Sequence, residues 1–357
     1  MKKTVNYALN ILFIAVISFL TIRLVFRDTD LQSIIKDLHM ASNGWLAVGV
    51  VCVFLFVCGE SVIIRYMLRM FGDKTPFFRC LKYSFIGFFY SCITPSSSGG
   101  QPAQVIYMKK DGIKIGFSTL IMLVITVAYK SVLVIFGIVF FLLEREFVLI
   151  HVGKWIWLLL VGFFLNVAYI SALVFILLKP LWARKAGIKA VNFLTRIHIL
   201  KWKNNERYIN KVNRICDNYT SGAEYIKTHV HAVINIFIIT AVQRMFLLAV
   251  TYVVYKSYGL SGTSFLGIVT VQTMISITVE MLPLPGAAGI TETCFVVMFA
   301  DIFGRKLVRS GMLLSRGLSF YCLLFMSAAV TLAAHFISMN RTGAAIDGGE
   351  TDDNKEK

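Results

Sequence analysis

Apolar residues fall in long runs along this chain, and polar residues collect between them. Runs long enough to cross about 30 Å of hydrocarbon are Val5–Phe26, Trp45–Ile64, Phe117–Leu143, Trp155–Leu178, Ala232–Tyr255 and Gly311–Ile337. Two further apolar regions are interrupted. Leu81–Ile93 is too short to span, and is followed by Thr94–Pro102 (TPSSSGGQP) and then Ala103–Met108. Ser264–Met281 is followed by Leu282–Thr291 (LPLPGAAGIT) and then Glu292–Phe303. In lipid every backbone N–H and C=O must be paired, so a helix breaks only where protein or a water-filled cavity replaces the lost bonds. Pro95, Pro102, Pro283 and Pro285 stop helices at these two sites, and they are four of the chain's 6 prolines. Gly99, Gly100, Gly286 and Gly289 permit the positive φ and close approach that a hairpin tip needs. A pair of kinks in ordinary helices is the plainer alternative, and the concentration of prolines argues against it.

The pattern predicts an all-α polytopic membrane protein with six full transmembrane helices and two Pro/Gly-broken re-entrant hairpins, about eight membrane segments in all. Counting each broken region as full crossings gives eight or more spans. Breaks in both halves of the chain are the signature of a transporter whose binding site lies near the bilayer midplane.

Composition agrees. The chain is 57% hydrophobic and 15% charged, whereas soluble domains run about 45–50% apolar and about 25% charged. The formal charge of +17 sits mostly in loops beside the spans. There it sets topology and meets anionic lipid headgroups, rather than marking a nucleic-acid surface, and tRNA is not expected as a partner. With the N-terminus cytoplasmic, Lys2, Lys3, the Arg65–Lys82 loop, Lys109, Lys110, Lys114 and the Lys179–Lys227 loop fall on the cytoplasmic side. The first broken hairpin then enters from the cytoplasm and the second from outside, their tips meeting in mid-membrane. The run Val5–Phe26 is too long for a signal-peptide core and has no small-x-small site after it, so an uncleaved first helix is expected.

Residues 1–340 read as one integral membrane domain. Within it, Pro180–Thr228 forms a basic loop whose Ile188, Val191, Leu194, Ile197 and Leu200 recur at helical spacing among lysines and arginines, as in a helix lying on the inner leaflet. Residues 341–357 are polar and expected to be disordered. The cysteines form no C-x-x-C, so neither a disulfide framework nor a metal site is indicated. No G-x-x-x-x-G-K-[ST] loop occurs, which argues against an ATP-driven pump, and no cofactor is implied.

The chemistry must come from ionisable residues inside the spans, each expensive unless paired or facing a cavity. Lys130 and Arg244 lie midway along their runs, and Arg316 about two turns into the last. Glu280 and Glu292 flank the second break, and Glu60, five residues before Arg65, lies within reach of the interface. One reading is a polar path for a charged headgroup, in which Arg244, Lys130 and Arg316 meet a phosphate through a guanidinium fork or an ammonium point charge. Free amides at Ser97–Gly100 and Gly286–Ile290 would add anion affinity, and Ser96, Ser97, Ser98 and Gln101 would replace headgroup hydration. The bland alternative is a set of structural ion pairs.

The run Phe85–Ile113 (FIGFFYSCITPSSSGGQPAQVIYMKKDGI), the segment Leu282–Glu292 (LPLPGAAGITE), Arg65 and Arg316 together resemble the lysylphosphatidylglycerol synthase transmembrane-region family. That family is the flippase-like membrane module of the bacterial multiple peptide resistance factor. The carrying elements are P-x-x-x-G-G-Q-P and P-x-P-G-x-x-G-x-x-E, at their order and spacing. The resemblance implies a multi-pass protein of the bacterial inner membrane, both termini cytoplasmic, that moves aminoacylated phosphatidylglycerol or another lipid between leaflets. It implies a link to cationic-peptide resistance. In the full-length factor a soluble domain transfers lysine from lysyl-tRNA to phosphatidylglycerol. The chain ends at Lys357 without such a segment, so no enzyme activity is expected of it alone. Many relatives carry Gly-Glu and a following Arg after the first break. Here Gly100-Gln101-Pro102-Ala103-Gln104 stands instead, which removes support for a charge role at that site.

The expected function is therefore a lipid translocase for an anionic or aminoacylated phospholipid such as lysylphosphatidylglycerol. The partners would be a membrane phospholipid and either a separate synthase or a second copy of the chain. The alternatives are phosphatidylglycerol lysyltransferase activity, directly or as its membrane subunit, and transport of another lipid-linked or small solute.

Overall fold

The computed structural model describes residues 36–94, 97–196, 228–282 and 289–347, with Ala287 and scattered positions between 206 and 224. Among them all regular structure is helical. In chain order the helices are α1 (Asn43–Met70), α2 (Phe77–Cys92), α3 (Gly100–Lys110), α4 (Ile115–Leu143), α5 (Arg145–Val152), α6 (Ile156–Leu178), α7 (Pro180–Arg196), α8 (Val230–Ser257), α9 (Phe265–Val279), α10 (Ile290–Met298), α11 (Ala300–Arg316) and α12 (Leu323–Asp347). A π-helical stretch, Gly317–Cys322, joins the last two. Among the described residues, five stretches are long and apolar enough to cross a membrane: α1, α4, α6, α8 and Ala300–His335. The protein is polytopic. The expected span Val5–Phe26 and the tip residues Pro95, Ser96, Pro283, Pro285 and Gly286 lie outside the described residues.

The last helix begins at Ala300 rather than Gly311. Asp301, Arg305, Lys306 and Arg309 hide its first turns from a search for apolar runs, and Gly304, at φ 76°, kinks it. At the other end α12 runs to Asp347, so residues 341–347 of the expected tail are helical.

α2 and α3 fold back on one another. Lys82 Nζ and Tyr83 Oη, early in α2, donate to Asp111 Oδ2 at the end of α3, at 2.5 and 2.6 Å. At the other end of the pair Gly87 and Ser91 lie against Gly100, where a Cβ would sit 2.6 Å from the Gly87 carbonyl. α9 and α10 likewise flank a break and share one apolar cluster.

The two helix pairs occupy opposite ends of the bundle. α2 and α3 pack in a cluster with Leu120–Ala128 of α4 and Ile236 of α8. α9 and α10 pack in another with Leu133 of α4 and Val254 and Tyr255 of α8. Lys130 and Arg244 therefore sit at the changeover along their helices.

One junction holds α4, α6 and α9 together. Ile277 of α9 is wedged between Gly137 of α4 and Gly162 of α6. A Cβ on Gly162 would lie 2.5 Å from the Ile277 carbonyl oxygen, whereas a Cβ on Gly137 would meet only the Cδ1 end of the side chain. Asn166 Nδ2 completes the seam, donating to Ile277 O at 3.1 Å. A backbone cannot yield as a rotamer can. Gly162→Ala should therefore destabilise the purified protein by about 1–3 kcal/mol and Gly137→Ala by clearly less, as read from their thermal unfolding midpoints.

Candidate functional site

A cavity of about 770 Å³ lies where the two helix pairs stop. The first break contributes Ser97, Ser98 and Gln101 to its wall, and the second contributes Glu280, Leu282, Ala287 and Thr291. The chain's non-glycine residues with positive φ, among those described, are Ser97 at 54° and Ala287 at 49°, one at each tip. Such a conformation costs an L-residue about 1–2 kcal/mol and persists where surrounding structure holds it.

The long helices supply the charge. Lys130 Nζ donates to Glu280 Oε2 at 2.8 Å, and Arg244 Nη2 pairs with Glu280 Oε1. One carboxylate thus serves two cations. Arg244 is 1% exposed; its guanidinium stacks 3.9 Å from the centroid of the Tyr129 ring, and its Nε and Nη1 have no hydrogen-bond partner among the described residues. α9 ends at Val279, so Glu280 is the C-cap, at the brink of the break.

A second ionic group pairs Arg316 with Glu292. Arg316 Nε donates to Glu292 Oε1 at 2.8 Å, and Glu292 Oε2 accepts the Gly289 amide at 2.6 Å. Glu292 thereby caps the first turn of α10 while neutralising Arg316. Arg316 also lies 4.7 Å from the Phe320 ring, inside the π-helical stretch. Such stretches occur often at functional sites.

The structure thus brings Lys130, Arg244, Arg316 and Glu280 to one cavity, with Ser97, Ser98 and Gln101 on its rim. Gly100 starts α3, Gly99 precedes it, and Gly289, at φ 90°, precedes α10. Not every expected amide is free: Gly99 N–H donates to Thr94 Oγ1 at 2.9 Å, and that of Gly289 serves Glu292. Gln101 Nε2 donates to Thr126 Oγ1 at 2.5 Å. Glu60 does not reach the interface; it lines the cavity and accepts from Gln104 Nε2 at 2.5 Å. Gln104, Tyr129 and Tyr169 were not singled out from sequence, yet all line the cavity. For Gln104 a signal existed, since it follows Gln101 by one helical turn.

An ion-lined chamber inside an all-helical bundle with long apolar helices marks a polytopic membrane protein with an internal cavity. The chain belongs to the family described as lysylphosphatidylglycerol synthase TM region, whose profile matches residues 7–327. No curated protein matches the sequence.

Removing the shared carboxylate strands two cations, whereas removing one cation leaves a pair. Glu280→Gln should cost about 3–5 kcal/mol of stability and Lys130→Met markedly less, measured by thermal unfolding in one detergent.

Proposed function

We propose that this chain is a lipid translocase, moving an anionic or aminoacylated phospholipid such as lysylphosphatidylglycerol between the leaflets of the bacterial inner membrane. The observation that carries the reading is local: two cations, Lys130 and Arg244, share the single carboxylate of Glu280 in a cavity midway along two membrane helices, while Glu60 on the same wall is bonded to Gln104 rather than to either cation. A phosphodiester entering there would meet the ammonium of Lys130 and, once side chains shift to admit it, the Arg244 guanidinium, whose Nε and Nη1 are buried behind the cavity wall. Charge-assisted bonds of this kind are strong where water is scarce. The N-terminus of α3 at the cavity rim adds positive potential, whereas that of α10 is already capped by Glu292.

Passage between leaflets needs approaches from both sides. The packing of the two helix pairs against opposite ends of α4 and α8 supports re-entrant hairpins entering from opposite membrane faces. The positive-inside distribution of lysine and arginine supports cytoplasmic termini, with the α2–α3 hairpin on the cytoplasmic side. The family's name supports phosphatidylglycerol chemistry for the headgroup.

Arg244→Gln leaves Lys130 paired with Glu280, so the variant should fold. Losing a hydrogen bond to a charged group costs about 1.5–3 kcal/mol, or roughly tenfold and more in rate. In proteoliposomes, transbilayer movement of labelled phosphatidylglycerol or lysylphosphatidylglycerol should fall accordingly in Arg244→Gln. A folded variant that moves lipid at the wild-type rate would contradict the proposal.

A further inference from the structure

α6 touches its neighbours along a narrow stripe. Its buried residues are Leu159, Gly162 and Asn166, and the last two lie against Ile277 of α9. Tyr169 continues the stripe one turn further, at helical spacing. It nevertheless is 38% exposed, and it also lines the cavity. The cause is the shortness of α9, which ends at Val279 just past the junction. Among the described residues no further turn of α9 covers α6.

A side chain that faces both an internal cavity and the outer surface of a membrane helix marks a gap in the wall. The neighbouring outward residues Phe164 and Leu165 are exposed and apolar, as expected of a surface against lipid. Tyr169 lies well inside Ile156–Leu178, whereas tyrosines of membrane helices gather at the interfaces. Helical spacing also aligns it with the site. Lys130 lies two turns from Gly137 on α4, Tyr169 two turns from Gly162 on α6, and Glu280 about one turn from Ile277 on α9. All three line the cavity beyond the junction.

We propose that the seam between α6 and the end of α9, at Tyr169, is a lateral portal. Through it an amphiphile inserts its anionic headgroup toward Lys130 and Arg244 while its hydrocarbon chains stay in the bilayer. The inference rests on the reading of the cavity as a headgroup site and adds the route of access. It restricts the ligand to lipids, because a soluble anion has no use for an opening onto hydrocarbon. Tyr169 acts as a gatepost, setting the width of the opening rather than binding the headgroup.

The test separates the route from the site. Tyr169→Trp narrows the seam and Tyr169→Ala widens it, and the position is not packed in the core. Phosphatidylglycerol translocation in proteoliposomes is compared with the thermal stabilisation that saturating glycerophosphoglycerol, the chain-free headgroup, gives in detergent. Tyr169→Trp should slow translocation by roughly tenfold, as a narrowed gate would, with the stabilisation unchanged, and Tyr169→Ala should match or exceed the wild type. Wild-type translocation in both variants would overturn the portal and leave the headgroup site standing. Loss of stabilisation together with translocation in Tyr169→Trp would also overturn it, by placing Tyr169 in the site. A wild-type protein that neither moves the lipid nor is stabilised by its headgroup would overturn both readings.

Discussion

The Glu280 carboxylate is the point on which the interior of this protein converges. It stands at the end of α9 and receives Lys130 from α4 and Arg244 from α8, so three chain segments far apart in sequence meet on two oxygens. Taking such ions out of water costs several kcal/mol each, and mutual attraction in the low-dielectric interior must offset it. A balanced pair would do so most simply. Within this trio the pairing is two cations to one carboxylate, with Glu60 elsewhere on the cavity wall bonded to Gln104, while the Arg316–Glu292 pair nearby is matched and its second oxygen spent on capping α10. Under the proposed function the contrast separates the two groups in role: the matched pair holds a helix start in place, and the trio is where an anion would bind.

The cavity around the trio follows from helix lengths. α2 with α3 packs against one end of α4 and α8, α9 with α10 against the other, and both pairs stop at the cavity. If the two pairs are re-entrant, as proposed, broken backbone is tolerated there because the cavity and its polar walls replace lipid. The same shortness of α9 that creates the chamber leaves Tyr169 uncovered, so interior space and sideways access share one cause.

Much of this was legible in the sequence because the relevant signals are local. A run of apolar residues, a cluster of proline and glycine, or a lysine amid valines and isoleucines is visible without knowing what it touches, and these gave α1, α4, α6, α8, both breaks and Lys130, Arg244 and Glu280. Partnerships were not legible. Lys130 and Glu280 are 150 residues apart in sequence, and the Gln104–Glu60 bond depends on how α3 lies against α1. Position within a helix misled in one case: Glu60, a turn before Arg65, turns inward because its own stripe faces the cavity. The start of the last helix was missed because its charged first turns are amphipathic rather than apolar. Tyr169 carries no sequence signal, since its significance lies in what fails to cover it.

The most direct measurement is an experimental structure of the protein in nanodiscs containing an anionic phospholipid. The account predicts a headgroup phosphate within hydrogen-bonding reach of Arg244 and Lys130, with its hydrocarbon chains leaving the bundle past Tyr169. A cavity holding water alone, with every ordered phosphate at the bundle's perimeter, would contradict it.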